Sequence, residues 1–128
     1  APGKRPISSM CPSIFVDRKT GNAILVIGGS GGTMITSGSA LVALRHLMFD
    51  ETIKSAIDAP RLHHQLMPDH ISFESNFPQN ILKKLELIGH KVKLIEDRGS
   101  VIEAIGRDKN GKITANSDFR KGGSIDGY

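Results

Sequence analysis

Apolar and polar positions in the first part of the chain predict a β-hairpin. Residues 13–17 combine β-branched and aromatic side chains, which is typical of a strand. Residues 23–27 are continuously apolar, as in a buried strand. The Gly21-Asn22 pair between the two segments is a turn signal. The two strands are therefore expected to pair.

The middle of the chain is predicted to be helical. Residues 33–49 carry apolar side chains around the whole helical circumference, which is typical of a helix buried on all sides. The small residues at 37–40 would let another element approach this helix closely. A second, shorter helix is expected over residues 51–58, because Pro60 disfavours helical backbone at the residue before it.

The second half of the chain alternates between predicted strands and one helix. The helix is expected over 78–88, with a proline near its first turn and Gly89 at its end. Strands are expected over 71–74, 90–96, 101–107 and 112–115, the last two joined by a turn signal at 108–111. Strands joined by hairpins, with helices between them, predict an α+β fold with a mainly antiparallel sheet and packed helices. The whole of 1–128 is expected to form one unit without an internal boundary.

Composition narrows the class of protein. Hydrophobic residues make up 38% and charged residues 23% of the chain, so it is neither a disordered polar tract nor a membrane-embedded protein. The formal charge is +4, but the basic residues are scattered and no basic run exceeds two residues. Because aromatic residues are only 5%, few platforms exist for base stacking, and the sequence disfavours nucleic-acid binding. The single cysteine excludes an internal disulfide.

The first residues resemble a connecting segment. Residues 1–6 begin without Met and contain two prolines, which resist a helix or a central strand. No apolar stretch typical of a signal peptide occurs in residues 1–20. We therefore expect the chain to be a fragment of a longer protein.

The glycine-rich segment 28–33, Gly-Gly-Ser-Gly-Gly-Thr, is the most informative local feature. Backbone N–H groups at a helix start are unpaired, and glycines let successive N–H groups converge on one point, so such a turn can hold a phosphate, a carboxylate or an oxyanion. A phosphate-binding P-loop would need Lys after the last glycine, where Thr33 stands, and the dinucleotide fingerprint would need glycine where Met34 stands. From the residues alone, an anion site and simple tight packing of a strand against a helix both remain open.

A pair of adjacent hydroxyls offers a second candidate site. Ser8 and Ser9 lie between Pro6 and Pro12, where regular structure is disfavoured. They could donate hydrogen bonds to a ligand carboxylate, each contributing about 1.5–3 kcal/mol. For an isolated pair, hydrogen bonds to nearby backbone are the commoner role.

The remaining reactive side chains suggest no metal or nucleophile. Adjacent His63 and His64 cannot easily face one metal, and no Cys or carboxylate stands at a familiar ligand spacing from them or from His70. Cys11 has no nearby base in the sequence and is interpreted as a small buried residue. No G-x-S-x-G nucleophile elbow occurs. We expect neither a metal nor another cofactor.

Several segments in one fixed order resemble the C-terminal part of the small subunit of γ-glutamyltransferase (γ-glutamyl transpeptidase, glutathione hydrolase). Each block alone is weak evidence, but together they span the chain, and the Met-Cys-Pro and Arg-Lys-Gly-Gly forms are more similar to animal members. The blocks are residues 4–12 (KRPISSMCP), 30–33 (SGGT), 59–65 (APRLHHQ), 115–123 (ANSDFRKGG) and the terminal Gly127-Tyr128.

The resemblance implies a fold, an activity and roles for four residues. The fold would be part of a four-layer αββα sandwich of the N-terminal-nucleophile hydrolase type. The activity would be cleavage of the γ-glutamyl amide of glutathione and related compounds through a Thr acyl-enzyme, with transfer to water, amino acids or dipeptides. Ser8 and Ser9 would bind the α-carboxylate of the γ-glutamyl group, and Gly31 and Gly32 would form the oxyanion hole.

The resemblance also implies what this chain lacks. The nucleophilic Thr, exposed by self-cleavage of a zymogen precursor, would lie upstream, so the chain alone should be inactive. Its partners would be the large subunit, the upstream part of the small subunit and a γ-glutamyl substrate. The location implied is the outer face of the plasma membrane, through an anchor outside this chain. The alternative is a non-catalytic structural relative that keeps the fold without the activity.

Overall fold

The computed structural model describes residues 1–127 as a mixed α+β unit with seven strands and three helices. Tyr128, which closes the last resembling block, lies outside the described residues. The elements in chain order are β1 (Ser13–Val16), β2 (Ala23–Ser30), α1 (Met34–Met48), α2 (Ile53–Asp58), β3 (Leu62–His63), β4 (Ile71–Phe73), α3 (Gln79–Leu87), β5 (Val92–Leu94), β6 (Val101–Arg107) and β7 (Ile113–Asn116).

The main sheet has four antiparallel strands in the order β1-β2-β6-β7. Both predicted hairpins are present, since β1 pairs with β2 and β6 pairs with β7. Helices α1 and α2 cover one face of this sheet, because alternate residues of β2 and β6 point toward them and are apolar. Leu25, Ile27, Ile102 and Ala104 from the sheet pack with Val42, Ala43, Ile53, Ala56 and Ile57 from the helices. The predicted α+β class with a mainly antiparallel sheet is confirmed.

A smaller sheet of three short strands forms a second layer of structure beside α1. Strand β4 pairs antiparallel with β3 and parallel with β5. The predicted strands at 71–74 and 90–96 and the helix at 78–88 are present with slightly shorter bounds. The two-residue strand β3 is missing from the sequence prediction, because Leu62–His63 is too short for a periodic pattern to emerge.

The prediction that the long helix is buried on all sides is wrong within residues 1–127. The buried face of α1 includes Ile35, Val42 and Ala43, but Leu44 is 47% exposed and Met48 is 72% exposed. A helix that is apolar all round but covered on one face only has a second apolar face to bury. None of the helices described within residues 1–127 combines the length and the apolar character that a membrane span requires.

The face of the main sheet opposite the helices is also apolar and open. Ile14, Val26 and Ile105 are register partners across three neighbouring strands, and they are 67%, 40% and 49% exposed. Strand alternation places them on the side away from the core residues Leu25 and Ile27. The chain therefore presents apolar surface on both outer sides of its sheet-and-helix pair.

The glycine segment is divided between a strand and a turn, which refines the prediction of a single turn at 28–33. Gly28, Gly29 and Ser30 belong to β2 and pair with Glu103, Ile102 and Val101 of β6. Only residues 31–33 form the turn before α1. A Cβ on Gly29 would lie 2.4 Å from the Val101 carbonyl oxygen, so close strand packing explains this glycine.

Gly29→Ala is therefore expected to destabilise the protein by about 1–3 kcal/mol through overpacking of the β2–β6 contact. Gly28→Ala in the same strand is the matched control, because no atom lies within 4 Å of the Cβ that it would add. Urea unfolding of the two variants measures the difference. Equal unfolding midpoints would contradict the assignment of Gly29 to a packing role.

Candidate functional site

The turn between β2 and α1 has a backbone that only glycine adopts readily. Gly31 has φ +128° and Gly32 has φ +59°, and both residues are exposed. The turn leads directly into α1, whose first residue is Met34. Thr33 stands at the N-cap position, and its side chain makes no capping hydrogen bond. The turn thus lies at the positive end of a 15-residue helix whose N-cap side chain makes no capping hydrogen bond.

The amide groups of this turn point away from the helix. The carbonyl of Gly31 accepts from the Met34 amide at 3.2 Å, and the carbonyl of Gly32 accepts from the Ile35 amide at 3.2 Å. In a trans peptide unit the N–H points opposite to the C=O, so the N–H groups of Gly32 and Thr33 are directed outward. Within residues 1–127 the amides of Gly31 and Gly32 donate to no protein acceptor.

This arrangement can bind an anion. Unpaired amides beside a helix N-terminus stabilise a negative group, and no acidic residue occurs in the first turn of α1 to repel it. Simple close packing accounts for part of the glycine pattern, since a Cβ on Gly31 would lie 2.7 Å from Ser100 Cα. It does not account for Gly32, because no atom lies within 4 Å of the Cβ it would carry. The outward amide of Thr33 is a third donor that sequence reasoning missed.

The segment containing Ser8 and Ser9 lies beside the same end of α1. Thr36 Oγ1 makes a long hydrogen bond of 3.5 Å to the Ser9 carbonyl oxygen, and Thr36 lies about one helical turn beyond Gly32. Ser8 Oγ accepts from the Met10 amide at 3.1 Å, so one of the two hydroxyls makes the local backbone bond expected of an isolated pair. Its proton is still available for donation. The roles of the serines and glycines stay predictions.

His63 connects α1 to the loop after β3. Its Nδ1 lies 2.7 Å from Ser37 Oγ, and its Nε2 lies 2.8 Å from Gln65 Oε1. The Gln65 amide nitrogen donates to the Met67 carbonyl, so Oε1 is the acceptor facing His63 Nε2. Ser37 Oγ also lies 3.3 Å from the Met34 carbonyl oxygen, so its hydroxyl links His63 to the first turn of α1. The predicted structural role of this histidine is consistent with these bonds.

The other candidate residues are placed as follows. His64 is exposed and lies 3.6 Å from Asp69 Oδ1. No group of three or more His, Cys, Asp or Glu side chains in residues 1–127 could hold a metal ion. Cys11 is half-buried, which corrects the prediction that it is a small buried residue, because its segment lies on the surface beside β1.

A buried ion-pair network is the main feature that sequence reasoning missed. Arg61 and Asp118 form an ion pair and are 3% and 0% exposed. Arg120 donates to Asp118 at 3.0 Å and to both oxygens of Glu74 at 2.8 and 2.5 Å. The network joins the end of α2, the end of β4 and the C-terminal segment. The resembling blocks 59–65 and 115–123 contain three of its four members, but no spacing rule would have paired residues 57 positions apart.

The pKa values in this network follow from burial and pairing together. Burial raises the pKa of Asp118, but hydrogen bonds from Arg61 and from the Ile102 and Arg120 amides outweigh it, so the pKa lies below its usual value. Burial lowers the pKa of Arg61, and the bond to Asp118 offsets this only in part. Burial also lowers the pKa of Arg120, but Glu74 outweighs it and the net shift is upward. The net shifts of Asp118 and Arg120 favour their charged forms, and Asp118 offsets part of the cost of burying the charge of Arg61.

A cavity of about 220 Å³ lies beside the network, away from the predicted site residues. Its lining includes Asp58, Glu74, Asp97, Phe119 and Arg120. Neither the glycine turn nor the Ser8–Ser9 segment contributes to it.

The fold is that of the N-terminal-nucleophile hydrolases. The γ-glutamyltranspeptidase of Pseudomonas nitroreducens, solved in complex with L-DON, superimposes with a TM-score of 0.83 at 29% identity. The match covers 100% of this chain and 66% of that one. A Helicobacter pylori γ-glutamyltranspeptidase mutant superimposes with a TM-score of 0.82 at 27% identity, covering 94% of this chain and 65% of that one.

Sequence comparison identifies the family. The Gamma-glutamyltranspeptidase family profile matches residues 1–128. Scoloptoxin SSD14 and Scoloptoxin SSD20 of Scolopendra dehaani are 56% and 54% identical over 98% and 99% of this chain. The glutathione hydrolase proenzyme of Escherichia coli (strain K12) is 38% identical over 93% of it. The chain belongs to the γ-glutamyltranspeptidase family, as the resemblance indicated.

The match covers only part of each relative. The chain spans 22% of Scoloptoxin SSD14, 64% of Scoloptoxin SSD20 and 20% of the E. coli proenzyme. Proenzyme names and the solved structures indicate a family of processed, two-subunit enzymes.

Proposed function

We propose that this chain is part of a γ-glutamyltransferase that cleaves the γ-glutamyl amide of glutathione and related compounds. The observation that carries the proposal is the exposed turn at Gly31 and Gly32, whose amides are unpaired at the start of a helix and lie beside the Ser8–Ser9 segment. The turn can receive negative charge, and the serine hydroxyls can donate to a carboxylate. An anion-binding turn and a pair of hydroxyl donors are the two kinds of contact that the carbonyl and the α-carboxylate of a γ-glutamyl group require.

The chemistry proposed is acyl transfer in two steps. A threonine outside this chain attacks the γ-carbonyl carbon, and the amine leaves with a proton, which gives a γ-glutamyl ester. Water, an amino acid or a dipeptide then attacks the ester carbon and releases the threonine. Negative charge builds on the carbonyl oxygen in both steps, and the amides of Gly31 and Gly32 stabilise it. Ser8 and Ser9 hold the α-carboxylate, which does not react.

The partners proposed are the large subunit and the upstream part of the small subunit. Two observations support them: the open apolar face of the main sheet around Ile14, Val26 and Ile105, and the exposed outer face of α1. Apolar patches of this kind mark surfaces that another layer covers. Relatives named proenzymes support production as one self-cleaving precursor.

Expression of the complete precursor tests the function. We expect a self-cleaved protein that releases the amine from a γ-glutamyl anilide, and whose new N-terminal residue is Thr, while residues 1–128 alone are inactive. Intact mass and N-terminal sequencing identify the cleavage, and absorbance follows the amine. A folded, uncleaved or inactive complete protein would favour the non-catalytic structural relative instead.

Replacing both Ser8 and Ser9 by alanine is expected to raise KM for the γ-glutamyl donor about 10-fold or more, with kcat changed much less. The reason is that a charge-assisted hydrogen bond to a non-reacting carboxylate contributes about 1.5–3 kcal/mol to ground state and transition state alike. Ser13→Ala is the control, because Ser13 begins the neighbouring strand β1 and its hydroxyl donates to the Cys11 carbonyl at 3.0 Å. An unchanged KM in the double variant would remove the carboxylate role.

We further propose that the complete protein acts on the outer face of the plasma membrane. The similarity to animal members of the family is the support for this location. Labelling of intact cells with a membrane-impermeant amine reagent, with a cytosolic protein as control, tests it. Labelling that appears only after lysis would contradict it.

A further inference from the structure

Ser100 contacts the two glycines that fix the turn relative to α1. A Cβ on Gly31 would lie 2.7 Å from Ser100 Cα and 3.0 Å from the Gly99 carbonyl oxygen. A Cβ on Gly38 would lie 2.7 Å from Ser100 Oγ. The backbone of Ser100 therefore packs against the turn, and its side chain packs against the helix that follows. Neither contact leaves room for a side chain at position 31 or 38.

The buried Arg61–Asp118 ion pair fixes the position of Ser100. It is 5% exposed, and its carbonyl oxygen and Oγ accept from Arg61 Nη1 at 2.8 and 3.0 Å. Arg61 is fixed by Asp118, which also accepts from the Ile102 amide at 2.8 Å. The backbone on both sides of Val101 is thus tied to the same pair. Ser100 is thus fixed by hydrogen bonds on one side, and the turn packs against its backbone on the other side.

We propose that Ser100 is a positioning residue for the oxyanion-binding amides, an inference that rests on the proposed function. Ser100 itself contacts neither the substrate nor the reacting atoms in that function. It holds Gly31 at φ +128°, and this angle sets the direction of the next peptide unit, which carries the N–H of Gly32. A displacement of Ser100 would change the direction of that N–H, whereas the Ser8–Ser9 segment would keep its position.

Two variants test this role by changing the packing of Ser100, one at Ser100 itself and one at Gly38 of α1. Ser100→Thr adds a methyl group to the side chain at position 100. Gly38→Ala adds a Cβ on α1 that would lie 2.7 Å from Ser100 Oγ and displace it. In the complete processed enzyme, with active sites counted by titration, we expect kcat to fall about 10- to 100-fold while KM changes less than about twofold. The double variant Gly38→Ala with Ser100→Ala removes the 2.7 Å contact and leaves contacts of 3.2 Å to the Cβ of residue 100 and to Ile102 Cδ1, so it should recover part of the kcat lost in Gly38→Ala.

A pair of inhibitors separates positioning from a merely structural effect. A γ-boronate analogue of glutamate forms a tetrahedral adduct with the nucleophilic threonine, and an adduct oxygen occupies the oxyanion site as in the transition state, whereas glutamate binds with a planar γ-carboxylate and forms no adduct. We expect the boronate inhibition constant to rise with the fall in kcat, and the glutamate constant to stay within about twofold. Ser39→Ala is the control, because Ser39 is 5% exposed and its Oγ has no partner among residues 1–127.

The outcomes distinguish this inference from the proposed function. If the unmodified enzyme releases the amine but both variants keep the boronate-to-glutamate ratio of the unmodified enzyme, the positioning role is wrong and the function stands. The positioning role is equally wrong if the variants lower only the melting temperature or the titrated fraction. If the unmodified complete protein is folded and releases no amine, the proposed function itself fails.

Discussion

Gly32→Ala in the complete enzyme is expected to lower kcat by about 100- to 1,000-fold, with a much smaller change in KM. That range is typical for the loss of one oxyanion-hole donor. Gly32 has φ +59°, where an alanine costs about 1–2 kcal/mol, so the variant turn shifts and its outward N–H no longer points at the developing charge. Steady-state kinetics with a γ-glutamyl anilide measures both constants.

The control for this prediction is another glycine with a similar positive φ and equally open surroundings. Gly21 has φ +73°, and no atom lies within 4 Å of the Cβ that alanine would add, but it lies in the β1–β2 turn. Gly21→Ala should lose similar stability and keep kcat. If Gly32→Ala folds, cleaves itself and turns over at the rate of Gly21→Ala, the oxyanion role of this turn is wrong.

The elements that the sequence predicts well are those with a long or regular pattern. The hairpin of β1 and β2, helix α1 and the β6–β7 hairpin all have periodicity or turn residues that act locally. Their bounds shift by a few residues, because pairing with β6 extends β2 through Gly28 and Gly29. The complete burial of α1 could not be judged, since an apolar circumference indicates surface to be covered and not what covers it.

The residues of the candidate site could be predicted from the sequence because they stand close together in the chain. The residues that hold the turn in position could not, because they come from distant parts of the chain. The conformation of the turn depends on glycines that stand together in the chain, and the resemblance supplied their roles and those of the serines. Ser100, Arg61 and Asp118 reach the turn through contacts across 39 to 69 positions, which no helix or strand period encodes. A buried arginine and aspartate are also counted as surface residues by any composition rule.

Removing one partner of the buried pair is the prediction with the largest effect on stability. Arg61→Met is expected to lower the free energy of unfolding by about 3–5 kcal/mol, because Asp118 would remain buried without one of its two guanidinium partners. The Ser100 carbonyl oxygen would lose its guanidinium donor as well, and the Ile57 carbonyl oxygen would keep only Arg120 Nη1 at 3.0 Å. Urea unfolding of the complete processed protein measures the change.

Arg45→Met is the matched control, because Arg45 and Glu51 pair at 2.9 Å but are 31% and 25% exposed, and pairs that water reaches contribute about 1 kcal/mol or less. Equal losses in the two variants would contradict the special role of the buried pair.

The dependence on pH gives a second, independent test of the pair. Because the pKa of Asp118 is lower in the folded protein than its ordinary value of 3.8, its contribution to stability is complete above that value and is lost as the pH falls through the lowered pKa. Asp118→Asn should therefore be less stable at neutral pH and should lose less of its remaining stability between pH 4 and pH 2. Unfolding midpoints in urea across that range measure both effects. If the unmodified protein and Asp118→Asn lost equal stability between pH 4 and pH 2, Asp118 would not titrate in the folded state as its bonds to Arg61 and Arg120 require.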